Sequence, residues 1–431
     1  MFNRLLRKLL RRLARLTIWR YRPGIIGITG SAGKTSAKLA VKAVLEGGRV
    51  VRASPGNLNS ELGVILTILG DWSERDLALV TRATPAGTKR AAKLWFWVRV
   101  VALSAWRVAV KAQEYPEILI LEYGADRPGD IKYLLTIARP NVSVITAIGD
   151  VPVHVEYYDG PEEVAREKGR LIEFLPVGGF AILNGDDPVV RNLQTRTRAR
   201  VILYGFEKGE EVRVMRFEHK FRRDGAPDGI SFKLEYGGGV VPVRIPHVFG
   251  RTNAYAAAAA ASVGIIFGMN LVAISEALAR YVPADSRMQL VPGIRSSYVI
   301  DDAYNASPIA MRFALETLYD LPAARRVAVL GDMLELGRHA KDAHERVGRF
   351  TAKTADALFA VGPQARIVAE AAHAAGMKRN AIFVFDSADV AKMAVRDFIR
   401  KGDLVLVKGS HSMRLDKVVQ EIRERTAQSS Q

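Results

Sequence analysis

Residues Gly24 to Lys38 read GIIGITGSAGKTSAK, and no other stretch constrains the fold as strongly. β-Branched and apolar residues (Ile25, Ile26, Ile28) run into a turn of small residues that closes on Gly33-Lys34-Thr35. A strand, a glycine-rich loop and a helix start in succession are what a bound triphosphate requires. Gly30 and Gly33 let backbone N–H groups approach phosphate oxygens, with Ser31 and Ser36 in the same turn. Lys34 offers a cation to the β- and γ-phosphates, and the Thr35 hydroxyl is a ligand for Mg²⁺. The strict P-loop spacing would place a glycine at Ile28; here the glycines fall at Gly27, Gly30 and Gly33.

With 431 residues the chain is long enough for two or three domains. Hydrophobic content of 49% and charged content of 25% are those of a folded globular protein. No cysteine is present, which excludes disulfides, thiolate catalysis and cysteine-based metal centres, and suits a reducing cytoplasm. A net charge of +18 favours anionic partners: nucleotides, acidic metabolites or an anionic surface.

That charge is uneven. Residues 1–22 carry Arg4, Arg7, Lys8, Arg11, Arg12, Arg15, Arg20 and Arg22 and no acid, with Leu5, Leu6, Leu9, Leu10, Leu13 and Leu16 at helical spacing. Arginines interrupt every apolar run, so this is neither a secretory signal nor a bilayer-spanning helix. Three readings remain: a helix lying on a membrane surface, a basic helix packed on the domain, or a frayed terminus. Leu94 to Val110 (LWFWVRVVALSAWRVAV) holds Trp95, Phe96, Trp97 and Trp106 among Arg99 and Arg107, flanked by Lys89 and Lys111. It suits either a segment in the headgroup zone or a helical hairpin buried against the domain. Its aliphatic, helical pattern argues against nucleic acid.

Elsewhere, short apolar runs alternate with helical stretches. Glu117–Leu121, Val142–Ile148 and Phe180–Leu183 read as buried parallel strands, with a helix over Pro161–Phe174. Val212 to Val243 alternates as antiparallel strands do, and Thr252–Phe267 is an alanine-rich helix. Around 282–287 the character changes, and five more buried strands follow. The prediction is an α/β chain: a doubly wound, P-loop-type parallel-sheet ATPase domain over 23–283, then a Rossmann-like α/β domain over 284–431. A Trp/Arg-rich insertion occupies about 71–115. Glu122 closes its strand, where a nucleotide-bound Mg²⁺ would find a carboxylate. His154 follows the next strand, and Lys168 sits in the helix EEVAREKGRLIEFL.

The blocks GITGSAGKTSAK, GNLNSELGV, LEYGADRPGDIKYL, His154-Val155-Glu156, EEVAREKGRLIE, AILNGDDP, DDAYNASPIAMRFAL, VLGDMLELG and VLVKGSHSMRLDKVV run in order from Gly27 to Val419. In these the chain resembles the Mur ligases, the ATP-dependent amide-bond-forming enzymes of peptidoglycan synthesis; DDAYNASP and GDMLELG resemble the branch that adds D-alanyl-D-alanine. The resemblance implies a cytoplasmic ligase in which a muramoyl-peptide carboxylate attacks the γ-phosphate of ATP. An amine then displaces phosphate from the resulting acyl phosphate. It implies that Lys34 and the Gly30–Gly33 backbone hold the phosphates. It gives Thr35 and Glu122 one Mg²⁺, and His154 a share in a second. Lys168 aligns with a lysine carried as a carbamate, an anionic metal ligand. Arg287 resembles the residue that reaches the phosphates on domain closure, Asp302 the one near the ribose and Asn253 the one near adenine. Asn305 and Ser307 are implied in the amine-substrate pocket.

Three departures stand out. The P-loop follows the basic helix directly, where the family has a uridine-nucleotide-binding domain. The 71–115 segment is longer than the family linker. Thr252 and Ala256 replace a common histidine and asparagine, and Ser412 a common glycine. The first two fit a lipid-linked or membrane-proximal acceptor. A MurT-like subunit would need a cysteine zinc ribbon, and a degenerate scaffold would not keep Lys34, Thr35, Glu122, His154 and Lys168.

Overall fold

The computed structural model describes residues 2–54, 56, 58–80, 90–110, 114–223 and 226–424. Lys89 and Lys111 lie outside the described residues, as do other parts of the 71–115 segment.

Helix α1 (Phe2–Tyr21) leads into β1 (Gly24–Thr29), the glycine loop and α2 (Lys34–Leu45). Strand β2 (Val51–Ala53) and helix α3 (Glu61–Leu69) follow, then the aromatic helix Arg90–Val110. Strands β3 (Ile118–Glu122), β4 (Val142–Ile145), β5 (Phe180–Asn184) and β6 (Arg200–Gly205) come next. Then come β7 (Val212–Phe221), β8 (Pro227–Tyr236) and β9 (Gly239–Pro246). The nine strands form one sheet in the order β2-β3-β1-β4-β5-β6-β7-β8-β9. It is parallel from β2 to β7 and antiparallel from there to β9. The central strands are buried on both faces, which is why they read as unbroken apolar runs.

The second sheet uses β10 (Gln289–Gly293), β11 (Ser297–Asp302), β12 (Arg325–Gly331), β13 (Ala357–Val361), β14 (Ile382–Phe385) and β15 (Asp403–Lys408). Its order is β10-β11-β15-β12-β13-β14, with β10 antiparallel to β11. The alanine-rich helix Arg251–Ile266 packs against α2, its small side chains letting the two backbones approach. Val151, Val155, Val164 and Phe249 from the first unit share a core with Met311, Leu315 and Leu330 from the second. The two units therefore meet over a packed apolar contact.

Helix α1 packs on both α3 and the aromatic helix. Leu10, Leu13, Ala14 and Thr17 are buried along that seam. Leu5, Leu9 and Leu16 are exposed, so the leucines divide between two stripes and do not form one face. In the aromatic helix Phe96, Val100 and Ser104, four residues apart, are buried, with Phe96 edge-on to Trp72 at 5.5 Å. The packed-hairpin reading thus describes one flank of each helix. No helix among the described residues is long and apolar enough to cross a membrane.

Candidate active site

In the first sheet the chain steps from β1 to one side, through β3 and β2, and then crosses to β4 on the other. A crevice opens at such a switch point, beyond the carboxyl ends of the strands. The glycine loop, Glu122 and Thr146-Ala147 all lie at those ends.

Gly30 has φ +151°, and a Cβ there would stand 2.0 Å from Thr146 Oγ1, so glycine is required. Ser31 N and Ala32 N both donate to Ala147 O, at 2.7 and 3.0 Å. Those two amides hold the loop to β4 and are not free for phosphate. The available donors sit instead at the start of α2, where Gly33 (φ +82°) is the N-cap and no side chain caps the first turn. The buried Ser31 hydroxyl has no hydrogen-bond partner among the described residues, as a group awaiting an anion would not. Lys34 Nζ donates to Gly30 O at 2.8 Å. Ser36 is buried in the same first turn.

Thr35 Oγ1 donates to Glu122 Oε2 at 3.2 Å. Lys38, one helical turn beyond Lys34, brings its Nζ to 3.3 Å from the same oxygen, and both side chains are almost fully buried. Lys38 also donates to Ser54 Oγ and to the Gly56 carbonyl. Burial would raise the Glu122 pKa; Lys38, Lys34 and Arg287 outweigh it and hold the carboxyl below its ordinary value. Lys38 ends the sequence block yet receives no role from sequence reasoning. Its i+4 spacing from Lys34 was the signal.

Lys168, from helix Pro161–Glu173, is buried and makes no hydrogen bond to a described residue. Burial first, and then the Lys34 charge, push its amine down to about 7. His154 (φ +69°) sits between two carboxylates, with Nε2 3.3 Å from Asp126 Oδ1 and Nδ1 2.8 Å from Glu335 Oε2. Asp126 acts electrostatically on both Lys34 and Lys168, so His154 joins the cluster through Asp126, another residue the sequence reading passed over.

The second unit adds Arg287. Its guanidinium lies 4.2 Å over the Tyr304 ring, and its charge acts on Lys34, Lys38 and Glu122. Asp302 fixes that segment: Oδ1 accepts from Met288 N at 3.1 Å and Oδ2 from Lys408 Nζ at 2.6 Å. Both Asp302 oxygens are therefore engaged. Burial raises its pKa against the opposing Lys408 charge. Asn305 is exposed, and its Oδ1 accepts from Ala306 N. Ser307 is buried and caps helix Pro308–Asp320 by accepting from Ala310 N, which ties up its hydroxyl as an acceptor.

Beside the loop, a small cleft runs between Ala32-Gly33, Thr146-Ala147 and the start of the alanine-rich helix. Thr252, Tyr255 and Ala256 line it, and Phe313 of the second unit closes it. Asn253 is not among its lining. Its Nδ2 donates to Phe249 O at 2.8 Å and its Oδ1 accepts from Tyr281 Oη at 2.9 Å. Each end of that amide is engaged inside the core, so Asn253 stands back from the cleft. Tyr255, held by Asp186 at 2.8 Å, takes the place beside the cleft.

The Mur ligase middle-domain profile matches residues 106–264, and the Mur ligase glutamate-ligase-domain profile matches 286–411. The UDP-N-acetylmuramoyl-tripeptide–D-alanyl-D-alanine ligase of Mycobacterium tuberculosis is 30% identical over 91% of this chain and 72% of its own length. The Bacillus subtilis ligase of that name is 27% identical over 96% of this chain and 79% of its own. Among solved structures, MurF from Thermotoga maritima in complex with ADP superposes with a TM-score of 0.76, at 24% identity. That match covers 96% of this chain and 83% of the neighbour. Mycobacterium tuberculosis folylpolyglutamate synthase shares the fold, with a TM-score of 0.63 at 19% identity, over 97% of this chain and 96% of its own. The chain belongs to the Mur ligase family, as a MurF-type member.

Proposed function

We propose that the protein joins D-alanyl-D-alanine to the free carboxylate of a muramoyl-tripeptide, converting ATP to ADP and phosphate. The observation that carries this reading is the gathering of Lys34, Lys38 and Arg287 around Glu122 at the glycine loop. A site with that excess of cations suits a reaction that brings a triphosphate and a carboxylate together.

In the first step a carboxylate oxygen attacks the γ-phosphorus as the bond to ADP breaks. In the second, the dipeptide amine attacks the acyl carbon, loses a proton, and phosphate departs. Lys34 and the first-turn amides of α2 hold the phosphates, and Ser31 Oγ is placed to donate to one of them. Arg287 screens charge from the opposite side. The ATP unit spans 23–283 and the closing unit 284–431. Dependence on ATP assigns the reaction to the cytoplasm.

The donor set fits Mg²⁺. Thr35 Oγ1 and Glu122 stand together, and no group of three or more His, Asp or Glu able to hold an ion exists among the described residues. Mg²⁺ is commonly held by one or two protein ligands, with phosphates and water completing the shell. When bound, it would neutralise the phosphate oxygens. Lys168 fits a carbamate, because its amine is buried, unbonded and easily neutral. His154, with Asp126, would serve the second metal position, and Asn305 the dipeptide.

The test is phosphate release from ATP in the presence of muramoyl-tripeptide, D-alanyl-D-alanine, or both. Release that requires both substrates supports the reading; release indifferent to either overturns it.

A further inference from the structure

The outer flanks of α1 and the aromatic helix are unlike ordinary solvated surface. On α1, Leu5, Leu9, Leu16 and Trp19 are exposed, with Trp19 at 66%. On the aromatic helix, Leu94, Trp95, Val98, Leu103, Trp106 and Val110 are exposed, Trp95 at 68% and Trp106 at 54%. The two helices pack side by side, so the exposed residues belong to one region of the molecule. Arg99, beside those residues on the aromatic helix, is drawn onto Asp76 at 2.5 Å. Monomeric soluble proteins seldom leave so many large apolar side chains uncovered together.

Charge selects the occupant. Residues 1–45 and 77–113 contain no acid, while residues 1–22 alone carry eight basic side chains. Arg4, Lys8, Arg12 and Arg15 are exposed and make no ion pair with a described residue. A second copy docked on this face would oppose two strongly basic surfaces. An anionic bilayer offers acyl chains to the leucines, headgroup depth to the tryptophans and phosphates to the arginines.

We propose that the paired outer flanks of α1 and helix Arg90–Val110 seat the protein on an anionic lipid surface, in the plane of the headgroups. This inference is independent of the ligase reading.

All five tryptophans lie in α1, in the aromatic helix or, as Trp72, against it, so intrinsic fluorescence reports on this region alone. The test mixes the full chain with vesicles of phosphatidylcholine alone and of phosphatidylcholine with phosphatidylglycerol. Flotation and a blue shift of emission are expected only with the anionic vesicles, weakening as salt rises. Each basic residue near the surface is worth about fivefold in partitioning, so R4Q/K8Q/R12Q/R15Q should lose on the order of several hundredfold. W95Q/W106Q should also lose binding, with far-ultraviolet circular dichroism and melting temperature unchanged in both variants, which shows that they fold. Equal binding to both vesicle types, or none to either, overturns the proposal. So does a wild-type dimer in sedimentation that W95Q/W106Q dissociates while vesicles remain unbound.

Discussion

Replacing Lys38 by methionine tests the electrostatic core of the site. The Lys38–Glu122 pair is buried on both sides, at 3.3 Å. Removing one member of such a pair costs about 3–5 kcal/mol, because the other charge stays desolvated. Ser54 Oγ and the Gly56 carbonyl lose a donor as well, which places the variant toward the upper end. At roughly 2–4 °C per kcal/mol for a unit of this size, the melting temperature should fall by roughly 6–20 °C. The catalytic consequence has a definite sign. Against the raising effect of burial, Lys38 is the largest influence holding the Glu122 carboxyl down; without it the pKa rises. Glu122 stays ionised in the wild type as pH falls, and its contribution to stability is lost only when pH drops through its depressed folded value. In K38M that loss moves to higher pH, and the acid limb of kcat/KM for ATP should move with it. K38M/E122Q should recover part of the lost melting temperature, since no unpaired charge remains. An unchanged acid limb together with an unshifted melting temperature would refute the reasoning.

Gly30→Ala should abolish ATP binding, measured by calorimetry, and lower stability, because its Cβ collides with Thr146 in a backbone conformation that alanine rarely adopts. Asn253→Ala should cost about 1–3 kcal/mol in urea unfolding, from the orphaned Phe249 carbonyl and Tyr281 hydroxyl. The KM for ATP should change little, whereas Tyr255→Ala should raise it. Lys168→Met should remove activity yet melt higher than the wild type near neutral pH. A lysine lowered to about 7 destabilises the fold below its unfolded value and penalises it fully below its folded one. The difference should shrink as pH rises toward about 10.5.

The central strands of both sheets were legible because buried parallel strands must be unbroken apolar runs; β2, β6 and β10, short or near a sheet edge and less apolar, were not singled out. The loop was legible because glycines with positive φ and a helix start leave a local signature. What could not be read was pairing at a distance. Asn253 looks like any polar residue at a helix start until Tyr281, twenty-eight residues on, takes its carbonyl oxygen. Lys38 looks like a solvated lysine until β3 delivers Glu122 beside it. Asp126, His154 and Glu335 come from three separate connections. Helix α1 shows a further limit: it has two apolar stripes, and only the packing of α3 and the aromatic helix decides which one is buried.

The cluster also constrains the order of events at Lys168. Burial and then Lys34 lower the pKa of its amine, while Asp126, Glu167 and Asp130 oppose them. A triphosphate seated against Lys34 would add several negative charges beside that amine and raise its pKa again. A protonated amine cannot react with carbon dioxide, so the carbamate proposed for Lys168 would have to form before the nucleotide arrives, or while it is away. Once formed, the carbamate no longer takes a proton as the amine does, and its negative charge must be met by a cation. Lys34 alone cannot serve both the carbamate and the phosphates. The bare site therefore favours the neutral lysine, and a site loaded as proposed would need additional positive charge, which Arg287 and a divalent ion at Thr35 and Glu122 would supply.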